Sequence, residues 1–528
     1  MPIIESDVKF RASQRMTDFA DGGGLMSTTT IVDGVDNNLF DDITDLQRLF
    51  GHLSLRKVYG AVLSNNADTY ISAHALVDVP PTDAATGCFA FATGGLTTER
   101  AAALSALSAW YVIPGTDPWP VNAPSGTTTV NLTVGPSIAA GAIPTVGMAL
   151  GMSQGGTLDA NDIERVQVLT VGAELTNGIT GDKYRQCTVS AATTRTYGTG
   201  DFGGGNASSA RAVGGVSLTE TRPYGVATAP GATSAGTTIV LDSITTAILG
   251  VGTPRVLRPN DAVLIASTIA NAAAAVSNGS TTTTGRTSLS RLRVIGNSGV
   301  VHASFVLNQP VPSGVGCTAD LTAGTVTFTD VSGMSQPVTV EHRIEEMSVV
   351  ASIAGTTLTL SRALSRAYPA GTRVSSLLML GDLKARVGVT FAQTAWTGVF
   401  ADAVLGGSPV ADYDIAGNPI VVTNKGAVNE RWYALFTNTT TFRLIGEQLG
   451  EIGTFGTGSV CAPNNPATGV PYFTIPSVGW GSGWAAGNVF RFNTAGANAP
   501  IWVGRSVAPS TPAGDDSVTL QFRGYVNT

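Results

Sequence analysis

Gly236-Thr-Thr-Ile-Val-Leu241 and Gly355-Thr-Thr-Leu-Thr-Leu360 are near-copies of one another, and Gly126-Thr-Thr-Thr-Val-Asn-Leu132 is a looser third. Each opens on glycine and runs into β-branched and aliphatic residues, the composition of a pleated, half-buried strand. Between 14 and 23 residues after each glycine, a proline turn leads into another apolar run. These runs are Pro144-Thr-Val-Gly-Met148, Pro259-Asn-Asp-Ala-Val-Leu-Ile265 and Pro369-Ala-Gly-Thr-Arg-Val374. A turn followed by a returning strand is common in small β-barrels. The spacing is too uneven for a repeat array. Either the three are related barrel-like modules, or they are chance echoes in a low-complexity composition. On both readings the chain beyond about residue 125 is β-rich.

Composition points the same way. Only 13% of the 528 residues are charged and 63 are glycine, where soluble domains average about 25% charged residues and about 7% glycine. The net charge of −7 comes from scattered residues with no Lys/Arg-rich stretch, so the electrostatic footprint of direct nucleic-acid binding is missing. The N-terminus lacks the layout of a signal peptide. No run of about 18 apolar residues is present to insert in a membrane. A chain of low surface charge needs another safeguard against aggregation, and a specific assembly partner is the natural one. Cys88, Cys187, Cys317 and Cys461 are widely spaced with no CxxC pair, which rules out a zinc ribbon. They are expected as buried or half-exposed thiols, with an occasional disulfide left open.

Four segments follow. Residues 1–124 read as an extended arm plus a small α+β assembly domain. The arm, Ala12 to Ser27 with Gly22-Gly-Gly24, is expected to be extended and flexible alone. Helices are expected at Asp42–Phe50, where Ile43, Leu46, Leu49 and Phe50 take helical spacing, and from Thr97 to Trp110. Leu53–Leu63 and Thr69–Val79 read as strands joined by a polar turn. Residues 125–235 form a β-module, and 236–387 one or more barrel-like modules. The tract 271–287 is too rich in Ala, Ser and Thr to supply a core and reads as a loop or linker. Tyr197–Gly215 reads likewise. Residues 388–528 form an aromatic-rich antiparallel domain whose strands alternate: Phe490 and Phe492 around Arg491, Ile501 and Val503 around Trp502, then Val518, Leu520 and Phe522. The predicted fold class is mainly β, with several small antiparallel barrel or sandwich modules and a small α+β N-terminal domain.

Candidate chemistry is sparse. Gly151-Met-Ser153-Gln-Gly155 matches G-x-S-x-G, but a nucleophile elbow needs a helix directly after the serine, and a loop-like Gly156-Thr-Leu-Asp follows. Asp33, Asp36, Asp41 and Asp42, and separately Asp412 and Asp414, are oxygen donors of the type calcium takes, without the EF-hand spacing. Turn and cap chemistry explains them more simply. Glu341-His342-Arg343-Ile344-Glu345-Glu346 is the densest titratable cluster. On a strand Glu341, Arg343 and Glu345 share a face, which suits a cross-strand ion pair or a subunit contact. A paired-carboxylate glycosidase site is unmarked. The C-terminal tryptophans suit packing or, less simply, sugar platforms. No catalytic residue, cofactor or metal is expected, and the chain is read as a non-enzyme.

Val8-Lys-Phe-Arg-Ala-Ser-Gln-Arg-Met-Thr-Asp18, Asp21-Gly-Gly-Gly24, Ile31–Phe40 and Leu53-Ser-Leu-Arg-Lys-Val58 at one end, with Asn429–Phe436 and Gly483–Asn493 at the other, carry a family likeness. Together they resemble virion structural proteins of Mu-like and related long-tailed bacteriophages, in the tail and baseplate. The resemblance covers about a quarter of the chain. It implies a tail or baseplate subunit made in the host bacterial cytoplasm and carried in the virion. Its partners would be other tail or baseplate proteins and further copies of itself in a ring or trimer. Phe10, Arg11, Arg15, Phe40, Trp432, Trp484, Phe490 and Trp502 are the expected assembly contacts. A receptor- or glycan-binding tail protein, and a head or connector protein, are the alternatives.

Overall fold

The computed structural model describes residues 3–50, 52–108, 121–134, 149–154, 164–176, 183–197, 208–213, 223–227, 236–242, 257, 259–308, 311–354, 356–507 and 517–526. These residues are mainly β, in several separate antiparallel sheets, one of them a half-barrel. The first hundred-odd residues supply β1 (Val8–Arg15), β2 (Gly23–Thr30), α1 (Asp45–Phe50), β3 (His52–Val62), β4 (Tyr70–Val79), β5 (Thr86–Phe91) and α2 (Arg100–Ser108). Both expected strands and both expected helices form. Helix α1 starts late because Thr44 and Gln47 close a reciprocal cap. The Gln47 amide donates to Thr44 Oγ1 at 3.3 Å, and the Thr44 amide to Gln47 Oε1 at 3.1 Å. That pair satisfies two orphan donors at the helix start.

The arm is extended within the chain, as a hairpin of β1 and β2 on the edge of a five-stranded sheet. Gly23 and Gly24 take φ of 103° and 85°, a region open to glycine at little steric cost. Here they begin the return strand. The sheet runs β2, β1, β3, Asn498–Val507, β5. Its fourth strand comes from the far end of the chain and pairs with β3 from His52↔Val507 to Ala61↔Asn498. A second, three-stranded sheet holds β4 between Leu378–Leu383 and Thr519–Val526. Residues 501–503 and 519–522 do lie in strands, but those strands belong to the N-terminal sheets and not to a C-terminal sandwich, and 501–503 are buried on both faces. Period two reports that a strand is half-buried, not which strand it pairs with.

The two sheets pack face to face around Val58, Ile501 and Val503 on one side and Ala75, Val77 and Leu378 on the other. They approach closely over Gly60, where an added Cβ would lie 2.7 Å from the Phe522 ring. On the outer face of the five-stranded sheet, Ala103 of α2 covers Leu55, Phe89, Phe91 and Trp502. The outer face of the three-stranded sheet is covered along its central strand. Its Leu76 and the neighbouring Leu377 pack on Leu264 and Ala266 of the middle sheet.

The middle sheet orders its strands Pro223–Gly225, Arg373–Ser376, Ala262–Ala270, Thr339–Ala354, Arg291–Ile295 and Val301–Val306. It wraps a core that includes Val263, Ile265, Leu292, Val294, Phe305 and Ile344. The second and third sequence echoes are not separate modules. Thr238–Val240 pairs with Thr357–Leu360 (Ile239↔Leu358), and their follow-on strands pair as well (Ile265↔Val374). The two copies interleave in one core. The first echo forms Thr129–Val134 in a different, six-stranded sheet, and its follow-on run at 144–148 lies outside the described residues.

The tract 271–287 is mostly loop, yet tied down. Thr281–Thr283 pairs with Thr325–Phe328, and Ala274 bridges Val338. Of the tract 197–215, Tyr197 is buried and Ser208–Val213 is a strand against Ala149–Gln154; 198–207 and 214–215 lie outside the described residues. Arg386–Gln393, Val489–Ala495, Glu430–Phe436, Thr441–Gly446 and Gly450–Gly456 make the C-terminal five-stranded sheet. Trp432, Phe436, Phe442, Phe473, Trp484 and Phe492 fill the core beneath it.

Candidate functional site

Of the expected assembly contacts, Phe40, Trp432, Trp484, Phe490 and Trp502 are buried inside this chain. Those five side chains serve its own cores. Trp432 donates its indole N–H to Thr494 Oγ1 at 2.8 Å, and Trp484 stacks on Phe436. Phe10, Arg11 and Arg15 on β1 stay half-buried. Arg15 is held within the chain by Glu99 at 2.7 Å. Arg56 and Lys57, in the same sequence signature, are internal too. Arg56 meets Asp18 at 2.7 Å, and the buried Lys57 ammonium donates to the carbonyls of Gly95, Leu96 and Thr98. Burial drops the Lys57 pKa to about 8.

The 341–346 cluster sits at the seam between the middle and three-stranded sheets. Alternation places His342 and Ile344 towards the middle core and Arg343 and Glu345 towards β4. Arg343 grips Asp78 of β4 with two bonds, 2.6 and 2.8 Å, and donates to Glu345 at 2.8 Å. Arg523 reaches Glu345 at 2.7 Å, and Gln521 donates to Asp78 at 2.7 Å. Burial would raise the Glu345 carboxyl, but Arg523 and Arg343 outweigh it and hold it below its usual range. Glu341 makes the expected cross-strand pair, with Arg291 at 3.3 Å. The cluster therefore joins three distant stretches of this chain.

A small cleft of about 50 Å3 lies beside β1 and the end of β3. Arg11, Met26, Lys425, Asn465, Thr468 and Asn498 are among its walls. Arg11 donates to the Thr28 carbonyl, yet its Nε and the Thr468 hydroxyl are buried without a hydrogen-bond partner. Burial lowers the Arg11 pKa with no compensating acid. No carboxylate among the described residues pairs with Arg11 or Lys425. Arg11 and Lys425 are the cationic residues among its walls, and the two unmet polar atoms are sealed from solvent. Such groups are normally satisfied in a finished structure. Arg11 was visible in the sequence; Lys425 and Thr468 carried no sequence signal.

At the other end of β3 lies a different surface. Phe19, Leu46 and Leu49 are 75%, 68% and 64% exposed. Asp42 and Asp45, close in the chain to Leu46 and Leu49, are exposed and form no ion pair among the described residues. The hairpin tip is held at this end by Asp18 and His52, 3.7 Å apart.

The remaining candidates resolve individually. Ser153 lies within the strand Ala149–Gln154, in register with Ser209, and residues 155–163 lie outside the described set. Asp414 accepts from the Gly417 amide at 2.9 Å and Asp412 from the Tyr413 amide at 2.8 Å, which is turn chemistry. Asp41 pairs with Arg56 at 3.3 Å. Among the described residues no three His, Cys, Asp or Glu side chains gather as metal ligands. The four cysteines are buried in four separate cores. Burial lifts the Cys317 pKa to about 11 and the Cys461 pKa to about 12.

No family model matches this chain, and no curated protein does. Among solved structures it is similar to particles of infectious bursal disease virus. A derived T=1 particle is 12% identical over 89% of this chain and 81% of that one, with a TM-score of 0.09. The VP2 subviral particle is 10% identical over 92% and 84%, also at 0.09. A likeness at that score carries no argument about what this chain is.

Proposed function

We propose that this chain is a structural subunit of a long-tailed bacteriophage virion, at the tail or baseplate, assembled in several symmetry-related copies. One observation carries the reading. The stretches that resemble phage virion proteins, hundreds of residues apart in sequence, form one continuous body. Val489–Ala495 leads directly into Asn498–Val507, which lies between β3 and β5. The Val62 amide bonds the Ala497 carbonyl at 2.9 Å, and Lys425 N bonds Ser64 O at 2.9 Å. The ionisable groups that the fold gathers are largely spent in internal ion pairs, as a scaffold requires. Mass spectrometry of purified particles from the bacterium that encodes the chain tests the proposal. It should find the chain in several copies per particle, and its absence would refute the assignment.

A receptor- or glycan-binding role is the second reading. Half-buried Trp396 stacks on Tyr433 at 4.1 Å and 12°, and Asp402, Arg431 and Asn493 form a hydrogen-bonded group on the same sheet. A ring face beside polar groups suits a sugar. Unchanged cell adsorption in Trp396→Ala particles would remove this reading.

A further inference from the structure

We infer that the seam between β4 and the strand Thr339–Ala354 is an acid-sensitive latch, which holds while His74 and His342 are neutral and loosens as they take up protons. The inference does not depend on the virion reading, since it concerns the fold of a single chain. Three observations carry it.

First, two buried histidines flank the seam. His74, 3% exposed, stands on β4 with Leu76 and Asp78, which β4 turns towards the middle sheet. His342, 1% exposed, lies next to Arg343 and points the other way, with Ile269 and Leu292 as its cross-strand neighbours. His74 Nδ1 donates to the Ser72 carbonyl at 2.8 Å, so an incoming proton goes to Nε2. Both His342 ring nitrogens are buried without a hydrogen-bond partner. An imidazolium there is a buried charge with no acceptor, which the fold disfavours far more than the neutral ring.

Second, the carboxylates of the seam are already taken. Asp78 is held by Arg343, and Glu345 by Arg343 and Arg523. Glu341 is held by Arg291 at 3.3 Å, with Arg293 at 3.8 Å. On Leu378–Leu383, beside β4, the acid is the exposed Asp382, which accepts from the Ser72 amide at 2.8 Å. The strand Ala262–Ala270 brings no charged residue. Burial lowers the His74 pKa, and Arg523 adds to that against the Ser72 carbonyl and Glu345. Around His342, Arg286 and Arg366 donate to the carbonyls of Ala367 and Thr287. Glu346 is engaged by the Ser365 amide and hydroxyl at 2.9 and 2.8 Å, with Arg362 at 3.6 Å. Tyr224, Tyr368 and Cys317, in the same core, are uncharged at neutral pH. Burial lowers the His342 pKa, and Arg286 adds to it against Glu341.

Third, the apolar contact across the seam is small. Its buried side chains are Leu76, Leu264, Ala266 and Leu377. A contact of that size gives way before either flanking core opens, so added charge is released by local separation of the sheets. A base that the fold keeps neutral contributes stability that is complete above the ordinary histidine range. That contribution is lost as pH falls through the range towards the folded value.

Amide hydrogen exchange of the full chain, corrected for the intrinsic rate at each pH, tests the latch. Between pH 7.5 and 5.0, protection of β4 and Thr339–Ala354 should fall at least about tenfold. The ceiling is about thirtyfold for each histidine, given an unfolded pKa near 6.5. Thr441–Gly446, in the C-terminal sheet, should lose no protection over that range. His74→Gln/His342→Leu should abolish the fall at the seam. Should that variant fail to fold, NMR of the histidine rings in the native chain decides. With the seam closed at pH 6.5, where a free histidine is about half protonated, both rings should be neutral. Rings half protonated under those conditions would overturn the latch. So would seam protection that does not fall in the native chain, or that falls equally in the variant.

Discussion

The seam at Arg343 and the core beneath Trp432 both hold strands together, by opposite chemistry. At the seam, guanidinium and carboxylate groups from β4, Thr339–Ala354 and Thr519–Val526 bind one another with bonds of 2.6 to 2.8 Å. In the C-terminal core, aromatic rings dominate: Trp432 lies 5.0 Å from Phe473, which lies 4.8 Å from Phe492. Burying rings is favourable in almost any alignment that excludes water. A bidentate ion pair is satisfied in very few alignments, and its desolvation offsets much of its attraction. The comparison suggests a division of labour. The aromatic core supplies stability, and the charged seam sets how the chain's distant segments align.

The largest effect should come from the core. Trp432→Ala is expected to cost about 4 kcal/mol, as large-to-small changes at fully buried aromatics do, read as a lower urea midpoint. Arg343→Leu should cost about 3 kcal/mol by leaving the buried Asp78 carboxylate without its guanidinium, held by Gln521 alone. Adding Asp78→Leu should recover part of that loss in chemical denaturation. If the double variant is as unstable as the single one, the cost lies in lost packing and the division of labour fails.

A smaller effect separates two buried carboxylates by sign. Glu345 is held below its usual pKa, so its contribution is fully present above the ordinary carboxylate range and is lost as pH falls through its folded value. Glu430 is satisfied by the amides of Arg431, Gln448 and Leu449, and burial raises it. Its contribution is present at low pH and lost as pH rises through its folded value. Between neutral pH and about pH 3, the advantage of the native chain over Glu345→Gln should therefore shrink. Its advantage over Glu430→Gln should grow. Denaturation midpoints across that window check both, and parallel trends would break the comparison.

The same contrast explains what could be read from the sequence. β3, β4 and both helices follow from local periodicity, and the face shared by Arg343 and Glu345 follows from strand alternation. What period two does not carry is pairing. Nothing local in Asn498–Val507 says that it fits between β3 and β5, and nothing near Asp78 points to Arg343, 265 residues away. The tryptophans read as contacts became core because a large ring signals burial without saying on whose surface. The cleft was invisible for a related reason: Arg11, Lys425 and Thr468 meet only after three segments have folded together.

The most direct test of the central claim, that this is a virion subunit of the tail or baseplate, is immunogold electron microscopy of purified particles with antibody to the full chain. The account predicts gold confined to the tail tip. Particles that stay unlabelled both intact and after disruption would contradict it.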